Sequence, residues 1–190
     1  MKFKLFSVVA LCGSLAVSAC STTSELPNIQ YIKSDKFTPD ITIAGAPIFV
    51  NPFGGVARVW FIISVINKNS GKVSHQIFVN VSYLGSWAFY ESAADDTAQS
   101  LEVRSVDTSV NSCDLGICSL QETLGIPIDD TTLRQQAETG YDIKLSARYA
   151  EPLFIKITPS QIKLQLESVA TNQPQSTPAP QPKKHSQKGS

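Results

Sequence analysis

The chain has 190 residues, 42% of them hydrophobic and 17% charged, with 16 basic and 16 acidic side chains in balance. That composition suits one folded domain with a core of its own and excludes a wholly disordered chain. Charge is unevenly placed: Lys2 and Lys4 stand at the start and Lys183, Lys184 and Lys188 at the end, leaving 11 basic residues against all 16 acidic ones between them. No basic stripe runs through the foldable part, so no nucleic-acid partner is expected.

Met1 to Ala19 has the three parts of a secretory signal: two lysines, an apolar run from Leu5 to Val17, and small residues ahead of a cleavage point. Ser7, Cys12, Gly13 and Ser14 interrupt the run, which falls short of the roughly 20 apolar residues a spanning helix needs. The stretch ends in Val17-Ser18-Ala19-Cys20, a thiol after two small residues. This ending resembles the lipobox of bacterial lipoproteins, and the resemblance covers the N-terminal segment alone. It implies cleavage before Cys20, a diacylglyceryl thioether on its sulfur and often an acylated amine. A thiol serves there because a hydroxyl is a much poorer nucleophile at neutral pH. Two or more acyl chains make such an anchor stable. In a bacterium with two membranes, Ser21 after the lipidated cysteine further implies attachment to the outer membrane, facing the periplasm.

Residues 20–27 then form the lipidated cysteine and a linker, residues 28–170 the folded domain, and residues 171–190 a Pro, Gln and Lys tail too polar to bury a core. Asn28 to Lys33 is predicted as a short edge strand, followed by extended segments at Ile41-Thr42-Ile43 and Ile48-Phe49-Val50. Val59 to Ile66 is nearly all apolar and reads as a central strand covered on both faces. Ile77, Val79, Val81 and Tyr83 alternate with less apolar neighbours, giving a half-buried strand that pairs with it as a hairpin. Gly85 is predicted to mark a bulge, with Trp87 to Tyr90 continuing or re-aiming the strand and Ala93 to Ser100 forming a loop. Strands are expected at Leu101 to Val106, Ser119 to Ile128, Tyr141 to Tyr149 and Leu153 to Ile157. A helical turn begins at Asp130 and stops at Gly140, and Thr158-Pro159-Ser160-Gln161 opens a second helix to about Val169. Alternation over Gln161 to Glu167 leaves a strand there as the rival. These elements predict an antiparallel β-sandwich of immunoglobulin-like type with one or two late helices.

Cys113 and Cys118 bracket four residues in a chain bound for an oxidising compartment, and they are expected to form a disulfide. A metal site would want further ligands. The only histidine in the foldable region, His75, follows Ser74 at a strand entrance and reads as an exposed polar flank, so no nucleophile and base are foreseen together. Asp95-Asp96 and Asp129-Asp130 lack calcium-loop spacing and suit turns or caps, and Gly54-Gly55 lacks the lysine and helix of a phosphate loop. Trp87, Phe89 and Tyr90, after the expected bulge, are the candidate recognition patch. Lys183, Lys184, His185 and Lys188 read as a solvated terminus. The expected role is a non-enzymatic, lipid-anchored envelope module without cofactor or metal that binds another envelope protein. A small-molecule or glycan carrier with aromatics lining a cleft between the sheets is the alternative.

Overall fold

The computed structural model describes residues 23–25, 30–51 and 56–174. The leader peptide, Cys20, the Gly54-Gly55 pair and the lysines of the tail lie outside them.

The first half of the chain supplies β1 (Thr23–Glu25), β2 (Tyr31–Ser34), β3 (Asp40–Ala44), β4 (Ile48–Val50), β5 (Ala57–Asn67) and β6 (Val73–Leu84). β5 and β6 pair along nearly their whole length, from Ala57 opposite Ser82 to Ile66 opposite Val73. The second half supplies β7 (Tyr90–Asp95), β8 (Ser100–Leu101), β9 (Arg104–Asp114), β10 (Ile117–Ile128), α1 (Asp130–Gln135), β11 (Tyr141–Ala147), β12 (Leu153–Ile157) and α2 (Pro159–Asn172). The protein is mainly β, with two antiparallel sheets and two helices late in the chain. The larger sheet runs β1-β4-β5-β6-β10-β9, with β3 also on β5 and β2 on β3; the smaller runs β12-β11-β7-β8.

One core lies between the sheets. Trp60, Ile62, Ile77, Val79, Val81, Leu124 and Ile126 face it from the larger sheet; Tyr90, Ile143, Leu145, Ile155 and Ile157 face it from the smaller. α2 closes the rest of the inner face, where Val169 joins Ile43 and Ile66. Its start carries the full capping box: Thr158 accepts from the Gln161 N–H, and the Gln161 side chain accepts from the Thr158 N–H. That arrangement satisfies two otherwise orphaned donors and decides for helix over strand.

Because every pairing is antiparallel, the larger sheet has two distinct ends. At one, β1 and β5 begin, β4 and β6 end, and β9 turns into β10. At the other, β3 begins and β5 turns into β6, and α1 follows the end of β10. We call these the β1 end and the helical end. The β9–β10 hairpin outreaches its neighbours: Gln121 stands opposite Ser82, and hence level with Ala57, while Ile117 lies four residues further out.

Three expectations are corrected. β5 is not covered on both faces, for Trp60, Ile62, Ser64 and Ile66 are buried while Phe61, Ile63 and Val65 stay half-exposed. Of the two outcomes expected after Gly85 the chain is re-aimed: the N–H groups of Ala88, Phe89 and Tyr90 bond to side chains, and β7 joins the smaller sheet. β7 then occupies the start of the predicted 93–100 loop, and the strand predicted over 101–106 divides between β8 and β9. No helix among the described residues is long and apolar enough to cross a membrane.

Candidate recognition surfaces

At the β1 end, Cys113 and Cys118 are joined by a disulfide and sit opposite each other where β9 meets β10. Leu115 and Gly116 make the turn, both with positive φ (47° and 80°), the backbone that lets a two-residue hairpin loop follow the strand twist. Leu115 is 95% exposed, Leu84 73% and Ile117 56%. Beside this tip, Phe89 lies 6.3 Å from Trp87 and 6.0 Å from Tyr149, centroid to centroid. Phe89 and Tyr149 are exposed and Trp87 half-buried. Of the predicted patch, Trp87 and Phe89 are thus brought together. Tyr90 is not, since its ring is buried in the core.

A buried carboxyl group holds this segment. Glu122 Oε1 accepts from the Tyr83 hydroxyl and from Phe89 N (3.0 Å), and its Oε2 accepts from Tyr90 N (2.9 Å). Tyr83 in turn accepts from Ala88 N at 2.9 Å. Burial, reinforced by the Glu122 carboxyl, pushes the Tyr83 hydroxyl well above its ordinary range, so it remains a donor. Phe89 adopts φ of 54°, and its side chain faces outward while that of Tyr90 enters the core.

At the helical end His75 is 4% exposed, which corrects its reading as an exposed flank. Its Nδ1 is 2.7 Å from Ser64 Oγ and its Nε2 3.1 Å from Asp130 Oδ1. Arg134 Nε donates to the other Asp130 oxygen at 2.7 Å. The residue types are those of a hydrolase triad, but the imidazole is reversed, since in that template serine bonds Nε2 and the carboxylate Nδ1. Ser64 is also 0% exposed and receives a 2.7 Å hydrogen bond from Gln165 Nε2. The same nitrogen donates to the Ile43 carbonyl at 3.0 Å. The chain of groups ties α2, β5, β6 and α1 together. Gly45 packs so near that a β-carbon there would meet Gln165 Oε1 at 2.7 Å.

Asp129 caps α1 by accepting from Thr132 N at 2.8 Å, and Asp95 accepts from Thr97 N and Gln99 N in its turn. Hydrogen bonds from Thr132 and Thr97 respectively hold these two carboxyls below the usual range. No group of three or more metal-ligating side chains occurs among the described residues.

The outer face of the larger sheet presents Val59, Phe61, Ile63 and Val65 from β5, with the Phe61 and Phe78 rings 5.1 Å apart. An open groove of about 590 Å³ continues this face past Ile63, Val65 and Pro127 to Arg104 and Asp129. A second groove, of about 500 Å³, lies between the sheet edges among Arg58, Trp60, Phe154 and Lys156.

The residues that sequence reading missed are Ser64, Gln165 and Glu122. Each is a polar residue in phase with apolar ones, Ser64 with Ile62 and Ile66 and Glu122 with Leu120 and Leu124. That phase was the available signal. No protein-family model matches this chain, and no curated protein or solved structure matches it. What fold and surfaces define is a two-sheet β domain with a half-buried apolar outer face and a disulfide-closed tip that carries exposed aliphatic side chains.

Proposed function

We propose that this is a lipid-anchored, non-enzymatic module of the cell envelope, held at the outer membrane through Cys20 and binding another envelope protein. The observation that supports it most is the second face of β5. Val59, Phe61, Ile63 and Val65 form an apolar row that the domain leaves half-exposed, and a contiguous outward apolar face of this kind is a usual mark of a protein partner. The lipobox-like ending at Cys20 supports the anchor. The buried hydroxyl of Ser64 argues against hydrolytic chemistry at the place among the described residues where serine, histidine and aspartate meet. We further propose an immunoglobulin-like arrangement of the two sheets, supported by their antiparallel pairing and by the chain's repeated passage from one sheet to the other.

A carrier role draws on one observation. Arg58, in the groove between the sheet edges, has a buried Nε with no acceptor among the described residues, which would suit an anionic ligand.

The protein-binding reading is tested by a photo-cross-linking residue placed in cells at Phe61, Ile63 or Val65, with Phe154 on the smaller sheet as the comparison site. One discrete adduct from the three outer-face positions, absent from the Phe154 position, is the expected result. Adducts from all four positions alike, or from none, would overturn it.

A further inference from the structure

The position of β1 determines where a membrane would lie, and the hairpin reaches beyond that position. Cys20 precedes Thr23 by three residues, which reach about 10 Å when fully extended. Thr23 is level with Val50 and Arg58, one residue inside Ala57. Ile117 lies four residues outside the level of Ala57, so at about 3.4 Å per residue it stands some 17 Å beyond Thr23 along the strand direction. Leu115 lies further out in the turn. A bilayer surface drawn at Cys20 therefore meets the hairpin tip before it meets any other part of the larger sheet.

We infer that the β1 end of the domain sits in the membrane interface, with Leu115 and Ile117 inserted among the acyl chains as a second, non-covalent attachment. The inference rests on the proposed lipid anchor at Cys20. Its chemistry is that of a lipid surface. The outermost side chains are the exposed aliphatic Leu115 and Ile117, with the exposed carboxylate of Asp114 opposite Ile117 and able to stay among the headgroups, and Trp87, Phe89 and Tyr149 stand behind them, where β6 ends and β7 begins. Aliphatic groups outermost with amphipathic rings behind them is the order found where a protein enters the headgroup region. The tip is also small, whereas a stable protein contact needs about 800 Å² on each partner. The disulfide matters here because a tip that enters a bilayer must keep its shape while β9 behind it lies at a free edge of the sheet and the tip itself extends past the pairing with β6. Two attachments at one end hold the domain upright on the membrane and direct the helical end away from it.

The test uses the full mature lipidated chain in vesicles of phosphatidylethanolamine and phosphatidylglycerol whose acyl chains carry bromine, a short-range quencher of tryptophan. Leu115→Trp is compared with Phe37→Trp, an exposed position in the turn between β2 and β3 at the helical end. The unsubstituted chain supplies the contribution of Trp60 and Trp87. Quenching of Leu115→Trp about threefold stronger than that of Phe37→Trp is expected for a residue below the headgroups. Intact mass reads the acylation of Cys20 in the same samples. An acylated chain whose two variants are quenched alike overturns the insertion and leaves the tip as a contact for protein. A chain with no acyl group on Cys20 overturns the anchor, and the inference with it.

Discussion

At the helical end, the larger sheet buries a row of polar groups, Gln165, Ser64 and His75, each bonded to the next and the last to Asp130. At the β1 end, the same strands carry Leu84, Leu115 and Ile117 out into solvent and bury a carboxyl group to hold the connecting segment in place. Burial of apolar surface drives folding, but the rule runs one way: buried polar groups are mostly hydrogen-bonded, as in this row apart from Gln165 Oε1, which has no partner among the described residues, whereas apolar side chains are common at a surface. The helical end packs its polar row under α1 and α2, with Phe37 left exposed in the β2–β3 turn. The β1 end, on the inference drawn above, is completed by a membrane.

The largest effect that tests this contrast is expected at Glu122. Replacement by alanine leaves the Tyr83 hydroxyl and the Phe89 and Tyr90 N–H groups without their acceptor, at a cost of about 4 kcal/mol for unpaired buried donors. Urea unfolding measures it. A loss below about 1 kcal/mol, the range of an ordinary surface change, would show that the β1 end does not depend on this clamp. At the helical end, His75→Leu and Gln165→Leu are each expected to cost about 2 kcal/mol, because each removes one member of a buried chain and strands another. The double variant should cost less than their sum by more than about 0.5 kcal/mol, since both act through Ser64. Strict additivity would mean that the row is two separate contacts.

Much of this architecture is legible in the alternation of the strands. Ile77, Val79 and Val81, or Ile143 and Leu145, declare their inward phase without help from the rest of the chain, and Thr158-Pro159-Ser160-Gln161 declares a helix start. What alternation cannot give is the number of faces that are covered. Val59 to Ile66 is apolar on both, and only the position of the second sheet and α2 shows that one is closed and the other half-open. His75 was legible in principle, being in phase with Ile77, yet its neighbour Ser74 argued for the surface. Its partners Ser64 and Asp130 lie 11 and 55 residues away, and Gln165 lies 101 residues from the Ser64 it binds; no local pattern records such meetings. Phe89 and Tyr90 show a different limit. Burial alternates from Ala88 to Glu91, so two adjacent rings cannot share a face, and with Phe89 outside the Tyr90 ring lies inside.

The smallest effect concerns how charge contributes to the closed end. The hydrogen bond from Arg134, working against partial burial and aided by His75, holds the Asp130 carboxyl below its ordinary value of 3.8. A folded-state value depressed in this way stabilises the fold in full above 3.8, where the unfolded chain's carboxyl is also ionised. The contribution then fades as pH falls through the lower folded value. Asp130→Asn removes it at every pH, so the variant should be less stable than the parent by about 0.5 kcal/mol at neutral pH, a half-exposed ion pair being weak. Asp129 titrates in both proteins and cancels from the difference. Urea unfolding at pH 7 and again below pH 3.8 should show the gap narrowing in acid. A gap of the same size at both would mean that the loss comes from hydrogen-bond geometry, since asparagine offers one acceptor where Asp130 offers two, to His75 and to Arg134, and that the closed end owes nothing to charge.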